Sequence, residues 1–326
     1  MDRFPVVVIG ASAGGVTALR TIVAGLEPDI AASIFIVLHI GARNSVLPEV
    51  LNSAGPIPAK HAEHGEQFHP GQIHIAPPDY HMLLSDGHVH LTRGPKENWA
   101  RPAIDPLFRS AAESCGENVI GVILSGNMND GTLGLGAIKD RNGIAIVQDP
   151  QDADNPDMPR SALSHVKVNY CTKVAEIPHL LNRLVAERQT ASTTSQRVVE
   201  RPTMTNGETF DRPVAVTCPD CGGALRRNEI GTLVEYRCHI QHVYTAEVLT
   251  EVHFDQMEKV LRAGERIVHE RAELCRQMAE RAIASGATED VERWQSAGEQ
   301  AFERAHELRD FIEQDWLSPG AVANLK

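Results

Sequence analysis

The chain has 326 residues, of which 42% are hydrophobic and 23% charged, with a formal net charge of −12. That length suits more than one core, and the acidic balance excludes a general nucleic-acid binder, which needs a basic face to neutralise phosphates. No apolar run is long enough to span a bilayer, so no membrane insertion is expected, and the N-terminal run follows Asp2 and breaks at a glycine turn, unlike a secretory segment.

Taken in order, Val6 to Ile9 reads as a strand covered on both faces, because only such a strand tolerates continuous apolar character. Gly10 to Gly15 form a tight turn, and a helical pattern runs from Val16 to Val23. Ser12 on that turn lies at the C-terminal edge of a sheet, beside the N–H groups and positive dipole end of a helix. The spacing Gly10-x-Ser12-x-Gly14 is that of a nucleophile elbow; with Gly15 it also fits a dinucleotide or phosphate loop. A second buried strand, Ser33 to Leu38, ends at His39, and Val46 to Ala54 reads as a helix. From Lys60 to Thr92 short strands and turns alternate, which predicts hairpin material with Asp86-Gly87 as a turn. Helix, strand, helix and strand follow at 105–114, 119–124, 132–141 and 143–148. A short helix at 160–164, a strand at 168–172 and a helix at 177–188 complete the unit. The alternation predicts an α/β fold over 1–188, a doubly wound, mostly parallel sheet with a β-hairpin insertion.

A polar stretch, 189–213, reads as a linker. Residues 214–244 form a small zinc-ribbon-like module, and 245–326 a C-terminal α-helical hairpin broken at Ser285-Gly286-Ala287-Thr288. Met257, Val260, Leu261, Ile267, Val268, Leu274 and Met278 recur at helical spacing, and are expected in a hairpin core or a dimer seam.

Ser12, His39 and Asp130 each follow a buried strand, and in a parallel sheet those loops emerge at one edge. Together they supply a nucleophile, a general base whose ordinary pKa lies near neutrality, and an acid that orients the base. Singly, each also has a plain explanation as a turn or strand-end residue.

Several segments resemble the catalytic domain of the chemotaxis protein-glutamate methylesterases (CheB). They are Gly10 to Gly15, His39, Ile75 to Met82, Arg101 to Phe108, Leu124 to Gly131, and Met158-Pro159-Arg160, in the same order over roughly 3–185. The resemblance implies hydrolysis of glutamyl γ-methyl esters on methylated chemoreceptors or related signalling proteins, with glutamine deamidation in some members and no catalytic cofactor. It also implies Ser12 as nucleophile, His39 as base, Asp130 as orienting carboxylate, and His81 in the active-site cleft. Backbone N–H groups after Ser12, at Ala13, and one from the Asn127–Met128 loop are expected to hold the oxyanion. The chain departs from the family pattern at Ala13, usually a hydroxyl residue, and at Ile40, usually methionine. In the acidic loop, usually Gly-Met-Gly-x-Asp-Gly, Asn127 takes the methionine place and Met128 a glycine place. The family usually carries an N-terminal receiver domain, whereas this chain opens on the catalytic strand. A regulatory partner is therefore expected at the C-terminal extension. Same-fold esterase or amidase chemistry on another substrate, or an idle signalling scaffold, are the alternatives.

Cys218-x-x-Cys221, then sixteen residues, then Cys238 and His242, has zinc-ribbon spacing and predicts a closed structural zinc site. His239 is the competing ligand, disfavoured because it adjoins Cys238. Such thiols fit a reducing compartment, so a cytoplasmic location is expected. Cys115, Cys171 and Cys275 lack partners at useful spacing and are expected to be buried. The histidines of 60–90 suggest no metal geometry.

Overall fold

A computed structural model describes residues 4–39, 45–192, 213–230 and 233–314. In chain order the first elements are β1 (Val6–Ala11), α1 (Gly15–Ala24), β2 (Ser33–Leu38), α2 (Leu47–Asn52), β3 (Ala59–His61) and β4 (Gln72–Ile75). Next come β5 (His81–Ser85), β6 (His88–Thr92), α3 (Ile104–Cys115), β7 (Val119–Ile123), α4 (Thr132–Asp140) and β8 (Ile144–Gln148). The α/β region closes with α5 (Asp157–His165), β9 (Tyr170–Thr172) and α6 (Ile177–Ser192).

Seven strands form one sheet in the order β3-β4-β2-β1-β7-β8-β9, and every neighbouring pair is parallel. Both faces are covered at the central strands β2, β1 and β7, which is why those strands are almost wholly apolar. Val7, Ile9 and Ala11 join the core under α1 and α6, while Val6 and Val8 join the core under α3 and α4. Gly10 lets α3 come close, because a Cβ there would fall onto the Ile104 side chain. The chain leaves β1 toward β2 on one side and later returns to β7 on the other. The C-terminal ends of β2, β1 and β7 therefore flank the topological switch point, where open α/β sheets bind ligands.

The expected hairpin insertion is smaller than its sequence pattern. Only β5 and β6 pair antiparallel, around Asp86 and Gly87, both at positive φ (50° and 78°) as a two-residue turn requires. β3 and β4 extend the parallel sheet instead; Ile73, His74 and Ile75 are all buried, so β4 has two covered faces rather than the one of a surface hairpin. The linker expected from residue 189 starts inside α6, which runs to Ser192, and its part at 193–212 lies outside the described residues.

Beyond it, β10 (Pro213–Thr217), β11 (Ala224–Ile230), β12 (Leu233–Cys238) and β13 (Val243–Thr245) make an antiparallel four-stranded sheet. Two helices follow, α7 (Ala246–Ser285) and α8 (Thr288–Ile312), separated at Gly286 with φ 73°. The chain divides into two units, Met1–Val248 and Leu249–Lys326. In the second, the expected apolar stripe is divided: Val260, Ile267 and Leu274 are 71%, 59% and 61% exposed and lie outside the hairpin core, while Met257, Leu261 and Val268 are partly buried. The buried positions of this unit are Leu249 and Val252 near the start of α7, then Ala272, Cys275, Ala279 and Ala282 along the seam, with Ala301, Ala305 and Ile312 of α8. Mostly small residues line this seam, and they let helix backbones approach more closely than large ones do. Of the three unpaired cysteines, Cys275 is buried, Cys115 is partly buried and Cys171, on edge strand β9, is exposed. No helix among the described residues is long and apolar enough to cross a membrane.

Candidate active site

Ser12 is the first residue after β1. Its N–H donates to the Ser125 carbonyl at 2.9 Å, and the Ser125 hydroxyl donates to the Ala13 carbonyl at 2.7 Å, so the loop after β7 grips the turn after β1. The glycines of these loops answer to space and conformation. Gly14 turns the chain into α1 with φ 76°, and a Cβ at Gly126 would strike Ser12 and Met158. The adjoining loop is held from below by Asn155, whose N–H donates to Ser125 Oγ at 2.9 Å.

His39 follows β2, its N–H on the Ala11 carbonyl at 3.2 Å. Its ring lies between two partners, with Nδ1 3.2 Å from Ser12 Oγ and Nε2 2.8 Å from Asp130 Oδ2. A carboxylate only accepts, so Nε2 carries the proton and donates it. Nδ1 is then left with a lone pair directed at the serine hydroxyl. His39 has 19% of its side chain exposed, against 3% for Asp130, so the site is open on the serine side and closed behind.

Asp130 is held as an anion. Besides His39, it accepts from the N–H groups of Ile104 (2.6 Å), Asp105 (3.2 Å) and Gly131 (3.0 Å), and from Asn98 Nδ2 (3.0 Å). Ile104 and Asp105 are the first residues of α3, so the carboxylate sits on a helix N-terminus. Burial would raise its pKa, but the His39 bond and charge, with the Ile104 and Asn98 bonds, outweigh it and bring it down to about 2. The neighbouring Asp105 goes the other way: burial, then the charge of Asp130, hold its carboxyl well above the usual range.

The other expected residues fall into two groups. Since the Ser12 N–H is engaged, the amides of Ala13 and Gly14 remain, and neither has a hydrogen-bond partner among the described residues. Asn127 and Met128 are exposed at the tip of the acid loop, and Met128 has φ 62°, a left-handed conformation that favours glycine. His81, by contrast, is only 3% exposed and does not line an open cleft. Its Nε2 faces the Pro95 carbonyl at 3.0 Å and its Nδ1 accepts from the Ala103 N–H at 3.3 Å. With both nitrogens tied to backbone, it braces the segment entering α3.

In the small module, ligand atoms of Cys218, Cys221, Cys238 and His242 lie within 4.8 Å of one another, a group that could hold a metal ion. The Cys221 and Cys238 sulfurs are 3.7 Å apart, and His242 Nδ1 is 3.5 Å from the sulfurs of Cys218 and Cys238. Tetrahedral zinc with bonds of about 2.3 Å to sulfur and about 2.0 Å to nitrogen demands edges of about 3.8 and about 3.5 Å, which these match. His239 instead rests against Gly223.

Three further contributors have no motif of their own: Ser125 lies within the Leu124 to Gly131 loop and Asp105 within the Arg101 to Phe108 run. Asn98 had no signal at all; its amide bridges Asp105 Oδ2 and Asp130 Oδ1, both at 3.0 Å.

Comparison with known proteins finds relatives of the α/β region. Residues 7–181 match the model of the CheB methylesterase family. A Leptospira interrogans protein provisionally named protein-glutamate methylesterase/protein-glutamine glutaminase is 40% identical over 188 residues, 56% of this chain and 95% of its own length. One so named without reservation, from Anaeromyxobacter dehalogenans, is 37% identical over 183 residues, 56% of this chain and 54% of its own. Among solved structures, the Thermotoga maritima CheB methylesterase catalytic domain matches with a TM-score of 0.54 and 33% identity, over 56% of this chain and 98% of that one.

Proposed function

Because this chain belongs to the CheB methylesterase family, we propose that it hydrolyses glutamyl γ-methyl esters on methylated chemoreceptors or related signalling proteins, with Ser12, His39 and Asp130 as its triad. The observation that carries this reading is the position of the His39 ring, 3.2 Å from Ser12 Oγ and 2.8 Å from Asp130 Oδ2. His39 Nδ1 takes the serine proton as Oγ attacks the ester carbonyl, and Asp130 stabilises the imidazolium that forms. The tetrahedral oxyanion is held by the amides of Ala13 and Gly14, aided by the Asn127–Met128 loop. Its collapse breaks the bond to methoxide, which leaves as methanol with the proton from His39. Water, deprotonated by the same imidazole, then cleaves the glutamyl-Ser12 ester and restores the hydroxyl. Glutamine side chains enter the same route with ammonia as the leaving group.

Methanol release from a methylated receptor preparation tests this. The natural chain should release methanol and the Ser12→Ala chain none. Release by the variant removes Ser12 from its role, and none by either overturns the glutamyl-ester reading in favour of another ester or amide or of an idle scaffold.

We further assign a structural zinc ion to Cys218, Cys221, Cys238 and His242. When bound, the ion cross-links the two ends of the module, and four protein ligands leave no position open for catalysis. The carboxylate of Asp220 accepts from the Tyr244 hydroxyl at 2.6 Å and lies 4.0 Å from His242 Nε2. Intact thiolates of this kind belong to a reducing compartment, so the protein is assigned to the cytoplasm. Metal analysis of the purified chain should find one zinc per molecule; its absence removes the site.

A further inference from the structure

The cysteine-bearing module is built into the back of the active site. Its last strand, β13, pairs with the loop that leads into α3. The Asn98 N–H donates to the Val243 carbonyl at 2.8 Å, and the Val243 N–H donates to the Lys96 carbonyl at 3.3 Å. One residue pair further on, the Thr245 N–H donates to the side-chain Oδ1 of Asn98 at 3.2 Å. The Thr245 hydroxyl donates to Asn129 Oδ1 at 2.9 Å, and Asn129 Nδ2 donates to Glu247 at 2.9 Å, which ties the module to the acid loop as well. Arg109 of α3 pairs with Glu97 of the loop that leads into that helix at 2.6 Å.

Asn98 is the hinge-pin of this arrangement. It is 7% exposed, held at φ 48°, and its carboxamide has one end for each neighbour. The oxygen accepts from the module and the nitrogen donates to the carboxylates of Asp105 and Asp130. An amide whose oxygen is pinned in this way cannot rotate its nitrogen off the two carboxylates without losing a buried bond, and an unmade buried bond costs more than a made one gains. The charge of Asp130 is also one cause of the raised pKa of Asp105, and Asn98 Nδ2 is a donor common to both side chains.

We propose that Asn98 is a positioning residue for the proposed triad, transmitting the docking of β13 at Thr245 to the orientation of Asp130, and that the module thereby forms part of the catalytic apparatus. The inference rests on the Ser12–His39–Asp130 reading. It assigns to the module a task inside the chain, distinct from recruiting a partner.

The test uses the full-length chain, Asn98→Ala and Asn98→Asp. The aspartate keeps an oxygen for the Thr245 N–H but sets a third carboxylate where the donor was; alanine removes both ends. Three quantities are read: methanol release from methylated receptor, the downfield proton resonance of the His39 Nε2–H bound to Asp130, and amide exchange at Thr245. Both variants should lose about 10²-fold in kcat with KM unchanged, the loss expected of a misplaced catalytic group, and the downfield resonance should broaden away. Thr245 should stay protected in Asn98→Asp and exchange faster in Asn98→Ala. A natural kcat and an intact resonance in either variant overturn the proposal, as does Thr245 protection that is the same in all three chains. If alanine unfolds the chain, the aspartate variant decides alone. Should the natural chain release no methanol, the ester reading fails, yet the resonance and the exchange still judge Asn98.

Discussion

His39 and Asp130 meet at 2.8 Å although 91 residues separate them, and the contact fixes which imidazole nitrogen carries the proton. Asp130→Asn offers an amide that can present its NH2 to the ring and reverse that choice. Turnover should fall by about 10⁴, as expected when the wrong tautomer faces the nucleophile, with KM little changed. The natural carboxyl lies at about 2, held down against burial by the His39 bond first. A depressed acid adds stability above its unfolded pKa and loses it as pH falls through the folded value, so Asp130 stays charged across the working range. The acid limb of the rate profile therefore cannot belong to it. A limb that disappears in the asparagine variant with turnover retained would contradict this.

Met128 stands at φ 62° where the family pattern has glycine. A left-handed L-residue costs roughly 1–2 kcal/mol, while glycine costs roughly 0.5–1 kcal/mol in unfolded-state entropy. Met128→Gly should therefore raise the unfolding free energy by up to about 1.5 kcal/mol, and Met128→Val should lower it by at least about 1 kcal/mol, both read as shifts of the denaturant midpoint. Equal midpoints for the two variants would mean that this loop does not hold its left-handed turn in solution.

Acid should destabilise the chain through two histidines outside the site. Burial pushes both His74 and His81 below the ordinary imidazole value, against the opposing pull of Glu66 on the first and of the Pro95 carbonyl on the second. Their folded pKa values lie below the unfolded one, so the unfolded chain binds more protons. Their stabilising contribution is full above about pH 6.5 and falls as pH drops, by up to about 1.4 kcal/mol per unit and group. His74 stacks on Phe35 at 5.1 Å, so His74→Phe fits the same slot. Denaturation curves from pH 7 to 5 should show a shallower loss in the variant, and identical slopes would clear His74.

What could be read from the sequence divides along physical lines. The strand-end rule brings Ser12, His39 and Asp130 to one edge because continuous apolar runs mark buried parallel strands, and glycine marks the turns after them. The pairing of C-x-x-C with Cys238 and His242 is equally local, since metal-ligand spacing survives without knowledge of the fold. Asn98 and Thr245 stand 147 residues apart, and nothing in the composition of either segment announces that they touch. β3 and β4 were hidden by shortness: three and four residues carry too little pattern to tell a parallel edge from a hairpin.

The helical hairpin is where size misled. Large apolar residues at helical spacing read as a hairpin core or a dimer seam; Val260 and Leu274 face outward, which removes them from the hairpin core but not from a dimer seam, and the hairpin's own seam is Ala272, Cys275, Ala279 and Ala282 against Ala301 and Ala305. Small residues bury little area each, yet a Cβ on Gly298 would already come within 3.2 Å of the Cys275 Cβ, so the seam has no room to spare. Ala279→Leu should then cost about 1–3 kcal/mol by overpacking, whereas Leu274→Ala, at an exposed site, should change stability by less than about 0.5 kcal/mol. Thermal melts of the two variants separate the alternatives: if leucine at 279 is tolerated and alanine at 274 is not, the large residues form the seam and the hairpin is wound the other way round.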